Sequence, residues 1–476
     1  MPHYTGDLSR SWLIVPLLFL YLFDLGRVGF LGPDEPRYAS VGREMARSRD
    51  FVTPRLDGQP WFEKPPLLYW MTAAGRALRL PDEWAARLPV ALMSVIFLIF
   101  FFETIQREFS DRVAVSATAI LATCAGWVAY SFAAVTDLPM TVTFAAAMLI
   151  AILETRSERG YWAGALLGAS ILAKGLVPVV LFAPTFLIAR GKRLTMLAGC
   201  ALVAAPWYLL CGLRNGRPFW QDLIWKQHFA RYLTPELQHV QHFWYYIPVL
   251  LAGLFPWTPL APLLLRPKTY EDVRVRFLAG WLIFALVFFS ISQNKLPGYV
   301  LPLLPALAVI LAAGLDRTGK NFPWWIGVNA LPLAALPLIV ALLPDALLSG
   351  IRKAPVMHAP GFSSLAIALA IAGTAGWLAW REKTVAAVLT IGLTAGVGVL
   401  YVKTAALPPI DERVSVRSFW RTNRSQAASA CVDPIVRREW VYGLNYYAPD
   451  PPKECAAGSE GFRISVVDGR LAITSR

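Results

Sequence analysis

Residues 11–38 read SWLIVPLLFLYLFDLGRVGFLGPDEPRY. An apolar run with Asp24 and Arg27 as its charges ends abruptly at two prolines, two carboxylates, an arginine and a tyrosine. A helix crossing a bilayer needs roughly 20 apolar residues, so the run predicts a first transmembrane helix near 11–30. The run lacks a small-residue cleavage site and leads into a long polar loop, which sets it apart from a removable leader. GPDEPRY then lies where the chain leaves the membrane.

The rest of the chain repeats this pattern. Of 476 residues, 56% are hydrophobic and 16% charged, and the mean hydropathy is +0.48. A water-soluble chain of this length needs more polar cover. The 18 Trp, 16 Tyr and 36 Pro suit helices with aromatic anchors and interrupted ends. Spans are expected near 11–30, 88–106, 113–133, 138–154, 161–173, 176–189, 194–213, 246–265, 276–291, 299–315, 323–343, 361–380 and 384–402, about thirteen in all. The short pair around Lys174 also reads as one broken helix, punctuated by Gly175 and Pro178. The fold class is an all-α polytopic membrane protein.

Basic residues set the orientation. With the N-terminus inside, the cytoplasmic connections carry Arg107, Arg112, Arg156, Arg159, Arg190, Lys192, Arg193, Arg266, Lys268, Arg274, Arg276, Arg317, Lys320, Arg381 and Lys383. The short outside connections carry Lys174, Lys295, Arg352 and Lys353. Two longer outside loops, 31–87 and 214–245, belong to a membrane domain of residues 1–403, and an outside tail follows at 404–476. The tail reads as a small α/β module. ISVVDGRLAI alternates around Asp468-Gly469, a hairpin signal, and REWVYGLNYYA reads as a further strand. Cys431 and Cys455 lie in this tail, where an oxidising compartment permits one disulfide, whereas Cys124, Cys200 and Cys211 fall in spans.

The charges at the outer membrane edge carry the chemistry. In GPDEPRY, Asp34 is placed to cap a helix, and Asp34, Arg37 and Tyr38 share one helical face. Cap plus interfacial anchors is one reading. A carboxylate orienting a polar acceptor is the other, and Glu35 adds a second carboxylate beyond what a cap requires. In WFEKPPLLYW, Pro65 holds Lys64 out of the α region, so Glu63 and Lys64 are expected to diverge. A surface Glu–Lys pair contributes little stability, but charge flanked by aromatics at membrane depth is costly unless used. Lys64 therefore reads as a phosphate ligand and Glu63 as an acceptor or metal ligand. Asp137 in AVTDLPM, Lys174 in LAKGLVP, and Lys295 and Tyr299 in SQNKLPGYVLP fall on the same outer side. WKQHFARYLTPELQHVQHFWYYIP pairs His228 with Arg231 and His239 with His242, each three apart. Two histidines alone do not make a zinc site. Cations among aromatics at headgroup level suit lipid phosphates rather than nucleic acid, and carboxylates among them suit transfer chemistry.

The ordered segments DEPRYASVGREM, DFVTPRLDGQPWFEKPPLLYW, AARLP, TDLPM, LAKGL, KQHFARY and NKLPGYVLPLLPALA resemble the bacterial lipid A aminoarabinose transferases. These belong to the GT-C class that includes the protein O-mannosyltransferases. The resemblance spans about residues 10–315, and the tail is short for the family. It implies a GT-C fold with interfacial periplasmic helices, in the bacterial inner membrane, with a periplasmic active site and C-terminus. It implies a donor sugar on undecaprenyl phosphate and a lipid A phosphate, or another periplasmic glycan, as acceptor. Position by position, Asp34 would be the catalytic or acceptor-orienting carboxylate, with Arg37 and Tyr38 beside it. Lys64 would hold the carrier phosphate, with Lys174, Arg231, Lys295 and Tyr299 around it. Glu63 and His228 would match a divalent, zinc-like metal site, although Gln227 stands where the family has an acidic residue. The competing class is a flippase-like carrier of lipid-linked sugars. Such folds show related halves with paired broken helices, and no such internal symmetry is present.

Overall fold

The apolar runs become helices of unequal length in the computed structural model of this chain, which describes residues 11–153, 159–233, 240–318, 324–350, 361–456 and 461–475. Seven helices among the described residues are long and apolar enough to cross a membrane: Asp82–Glu108, Arg193–Asn215, Val273–Ile291, Pro297–Asp316, Trp324–Ser349, Phe362–Trp380 and Thr384–Ala427. Helices Asp111–Thr123 and Ala125–Phe132, bent by 57°, make an eighth if they form one span. The protein is therefore a mostly helical multi-span membrane protein with seven to eight candidate spans. The other expected spans are shorter helices: Ser11–Leu22, Asp137–Leu153, Gly160–Lys174, Val177–Ile188 and Tyr246–Gly253. At 1.5 Å per residue a 12-residue helix reaches roughly 18 Å. In the last case Pro256, Pro259 and Pro262 remove backbone donors just past the helix.

Helix Pro297–Asp316 is the hub of the bundle: 94% of its apolar window is buried, against 17% for Phe362–Trp380 at the periphery. Elsewhere in the bundle a buried ion pair fixes the exit of the first helix. Arg87, wholly inaccessible on Asp82–Glu108, donates to Glu35 through Nε (2.9 Å) and Nη2 (2.8 Å). It also donates to the carbonyls of Leu25, Val28 and Gly29. Glu35 in turn accepts the N–H groups of Leu31 (2.8 Å) and Ala134 (2.7 Å). Both side chains thus have their polar capacity filled, as a buried pair requires. Together they pin helix Asp34–Ser48 to the loop that leads into Asp137.

Helix Thr384–Arg413 runs through the expected 403/404 boundary, and a separate apolar core starts at Val416. Cys431–Val432, Phe462–Val467 and Arg470–Ser475 form a three-stranded sheet in that order. The Asp468-Gly469 hairpin forms as expected, with Val467 opposite Arg470 and both turn residues at positive φ. Cys431 and Cys455 are joined in a disulfide. The expected strand REWVYGLNYYA is instead helix Arg438–Tyr447. Its buried residues Trp440, Gly443 and Leu444 recur at i, i+3 and i+4, a helical period that the aromatic-rich, strand-like composition obscured.

Candidate functional site

The two polar loop segments meet. Helix Asp34–Ser48 starts at Asp34 itself, with Pro33 ahead of it and no side-chain cap. The expected capping role is not taken up, because the Asp34 carboxylate turns to Arg37, whose Nη2 donates to it at 2.5 Å. The same Nη2 donates to Glu63 Oε2 at 3.0 Å and Oε1 at 3.1 Å. Lys64 Nζ donates to Glu63 Oε1 at 3.2 Å, so Glu63 and Lys64 converge rather than diverge. Pro65 does constrain the backbone, but the long lysine side chain folds back toward the carboxylate. Tyr38 Oη donates to Glu63 Oε1 at 3.5 Å. Arg37, Tyr38 and Lys64 are buried, while the Asp34 side chain stays 47% exposed.

A second cluster stands opposite. Lys174 ends helix Gly160–Lys174, and its Nζ donates to Asp137 Oδ1 at 2.6 Å and lies 5.1 Å from the ring centre of Tyr299. Gly298 permits this approach: a Cβ there would sit 2.3 Å from Asp137 Oδ1 and 2.6 Å from Tyr130 Oη. Lys295 is buried, and its ammonium donates to the carbonyl of Ser292 at 2.5 Å. That burial lowers its pKa from the ordinary lysine value. The two clusters share a field. Partial loss of solvation around its half-exposed carboxylate raises the pKa of Asp34, the charges of Glu63 and Asp137 add to this, and Arg37 and Lys64 oppose it.

Among the described side chains, three cations (Arg37, Lys64 and Lys174) are paired with three carboxylates (Asp34, Glu63 and Asp137). Lys295, three residues before Gly298, is a surplus cation whose ammonium meets a backbone carbonyl instead.

The remaining expected residues sit elsewhere or in other roles. Glu35 takes no part in this cluster, being committed to Arg87, Leu31 and Ala134. The Arg231 side chain lies outside the described residues, as does His239. His228 lies on the wide-wound helix Trp220–Ala230, and both ring nitrogens are in use. Nδ1 donates to the carbonyl of Leu223 at 2.6 Å, and Nε2 accepts the N–H of Leu176 at 2.8 Å. Gly175, at φ +88°, packs so closely that a Cβ would fall 2.0 Å from His228 Nε2. With His228 so engaged and Glu63 held by Arg37 and Lys64, these residues do not fit the expected metal. No group of three His, Cys, Asp or Glu side chains suited to one occurs among the described residues. Arg37 also meets Tyr442, at 5.2 Å, and Trp61, at 5.9 Å, two aromatics that sequence reasoning did not single out.

A family model described as dolichyl-phosphate-mannose-protein mannosyltransferase matches residues 63–213. The undecaprenyl phosphate-alpha-4-amino-4-deoxy-L-arabinose arabinosyl transferase of Pseudomonas paraeruginosa is 30% identical over 398 residues, covering 78% of this chain and 72% of that protein. The protein of the same name from Pseudomonas aeruginosa strain LESB58 is 29% identical over 487 residues, covering 92% and 87%. The crystal structure of ArnT from Cupriavidus metallidurans bound to undecaprenyl phosphate superposes with a TM-score of 0.75 at 22% identity, over 95% of this chain and 87% of that one, so the fold is shared.

Proposed function

We infer the activity of this chain from its family: it belongs to the undecaprenyl phosphate-4-amino-4-deoxy-L-arabinose arabinosyl transferases. The chain is a glycosyltransferase that takes aminoarabinose, or a similar sugar, from undecaprenyl phosphate. It delivers the sugar to a phosphate of lipid A, or of another glycolipid, at the periplasmic face of the bacterial inner membrane. In this reading the five shorter helices also cross, giving thirteen spans, a cytoplasmic N-terminus and a periplasmic domain from about residue 404.

The chemistry asks for stabilisation of a leaving group. An acceptor phosphate oxygen attacks the anomeric carbon. The bond from that carbon to the carrier's phosphate oxygen breaks, and the electron pair leaves with undecaprenyl phosphate. Lys64, Lys174 and the surplus cation Lys295 face that growing negative charge in a site shielded from water. Tyr299, beside Lys174, belongs to the phosphate side, and the family resemblance assigns Arg231 to it as well. Asp34, the half-exposed carboxylate, orients the acceptor and steadies positive charge developing on the sugar, and Arg37 fixes its direction. An ionised phosphate acceptor needs no base. Tyr38 and Asp137 hold Glu63 and Lys174 in place, and Glu35 acts through the fold.

The observation that carries this reading is the convergence of Asp34, Arg37, Glu63 and Lys64 from two loops into one contact network. The test is incubation of the purified protein with undecaprenyl phosphate-aminoarabinose and lipid A, with mass spectrometry of the lipid A. A sugar-modified product is expected, and intact donor with unmodified lipid A would overturn the reading.

A further inference from the structure

Helix Arg438–Tyr447 of the carboxy-terminal domain docks directly onto helix Asp34–Ser48. Arg43 donates to the carbonyl of Tyr446 at 2.5 Å, Asn445 Nδ2 to Asp57 at 3.2 Å, and Tyr447 Oη to Glu83 at 2.8 Å. The backbone N–H of Phe30 reaches Tyr447 Oη at 3.0 Å. Anchored this way, the helix brings Tyr442 over the Arg37 guanidinium, 5.2 Å from its ring centre. The same tyrosine holds a second guanidinium: Arg438 donates to Tyr442 Oη through Nε (3.2 Å) and Nη2 (3.1 Å), and its centre lies 5.3 Å from the ring.

Two like charges thus share one aromatic ring. Arg37 is neutralised by Asp34 and Glu63. Arg438 is exposed and pairs with no carboxylate among the described residues. It also opens its helix at the end where the backbone dipole disfavours a cation, so helix stability does not account for it. An anion arriving at Arg438 would gain charge-assisted hydrogen bonds from a guanidinium already held by its neighbour.

We propose that Arg438, seated on Tyr442, receives the phosphate of the acceptor, so that the carboxy-terminal domain supplies one wall of the acceptor site. This rests on the transferase reading above. The carrier's phosphate belongs to the Lys64 side, so donor and acceptor phosphates use different cations.

The test is steady-state transfer by the full chain with each substrate varied in turn, for wild type, Arg438→Ala, Arg438→Lys and Tyr442→Phe. Losing charged hydrogen bonds to a phosphate raises KM roughly ten- to hundredfold. Arg438→Ala is expected to raise the acceptor KM by that factor and leave the donor KM unchanged. Lysine restores part of the loss, and Tyr442→Phe, which frees Arg438 but keeps the ring, raises the acceptor KM a few-fold. Equal shifts in donor and acceptor KM, or no shift in the acceptor KM, would overturn the assignment. A wild type that transfers nothing removes the transferase reading, and this assignment with it.

Discussion

Replacing Glu35 separates architecture from chemistry. Glu35 neighbours Asp34 in sequence, yet its carboxylate accepts four hydrogen bonds, from Arg87 Nε and Nη2 and from the N–H groups of Leu31 and Ala134. Glu35→Ala leaves the fully buried Arg87 charge with carbonyl partners only, and breaking a buried pair from one side costs about 3–5 kcal/mol. Glu35→Gln keeps the shape but turns an NH2 group toward two of the four donors and removes the charge, so a loss in the same range is expected. The assay is denaturant unfolding in detergent followed by tryptophan fluorescence, paired with transfer activity per folded molecule. Both variants should unfold at clearly lower denaturant while the folded fraction keeps most of its specific activity. A Glu35→Gln protein as stable as wild type but inactive would refute the architectural role and return Glu35 to the chemistry.

Other consequences can be checked alongside. If ionised Asp34 is needed for transfer, the acid limb of kcat/KM should lie above the ordinary aspartate range, because partial loss of solvation, Glu63 and Asp137 favour the protonated form; Asp34→Asn should flatten that limb in the residual activity. Gly175→Ala forces a Cβ at φ +88° into His228 Nε2, and should lower the thermal midpoint and weaken donor binding by displacing Lys174 beside it. Cys431→Ser should cost about 3 kcal/mol by freeing the loop to Cys455, read as a lower unfolding midpoint of the carboxy-terminal domain.

Much of this arrangement is legible in the sequence, because apolar run length and the break at Gly175 act locally, whereas the span expected over 246–265 stops short at Gly253. The polar segments at 34–38 and 63–64 announce themselves as charge at membrane depth. What stays hidden depends on distant partners. Nothing local to Glu35 reveals that Arg87 will claim it, 52 residues away. Nothing near His228 reveals that the N–H of Leu176 will occupy its ring. Tyr442 is missed twice over: its segment has strand-like composition, and its partner Arg37 lies near the other end of the chain. The folding back of Lys64 onto Glu63 is a rotamer choice that proline geometry does not dictate.

The most direct measurement compares undecaprenyl phosphate binding and sugar transfer to lipid A in the same preparations of wild type, Asp34→Asn and Lys64→Ala. Asp34→Asn should bind the carrier as wild type does and transfer at least about 100-fold more slowly, whereas Lys64→Ala should lose carrier binding and transfer together. Carrier binding that is indifferent to Lys64, or wild-type transfer by Asp34→Asn, would contradict the division of this site into a carrier side and an acceptor side.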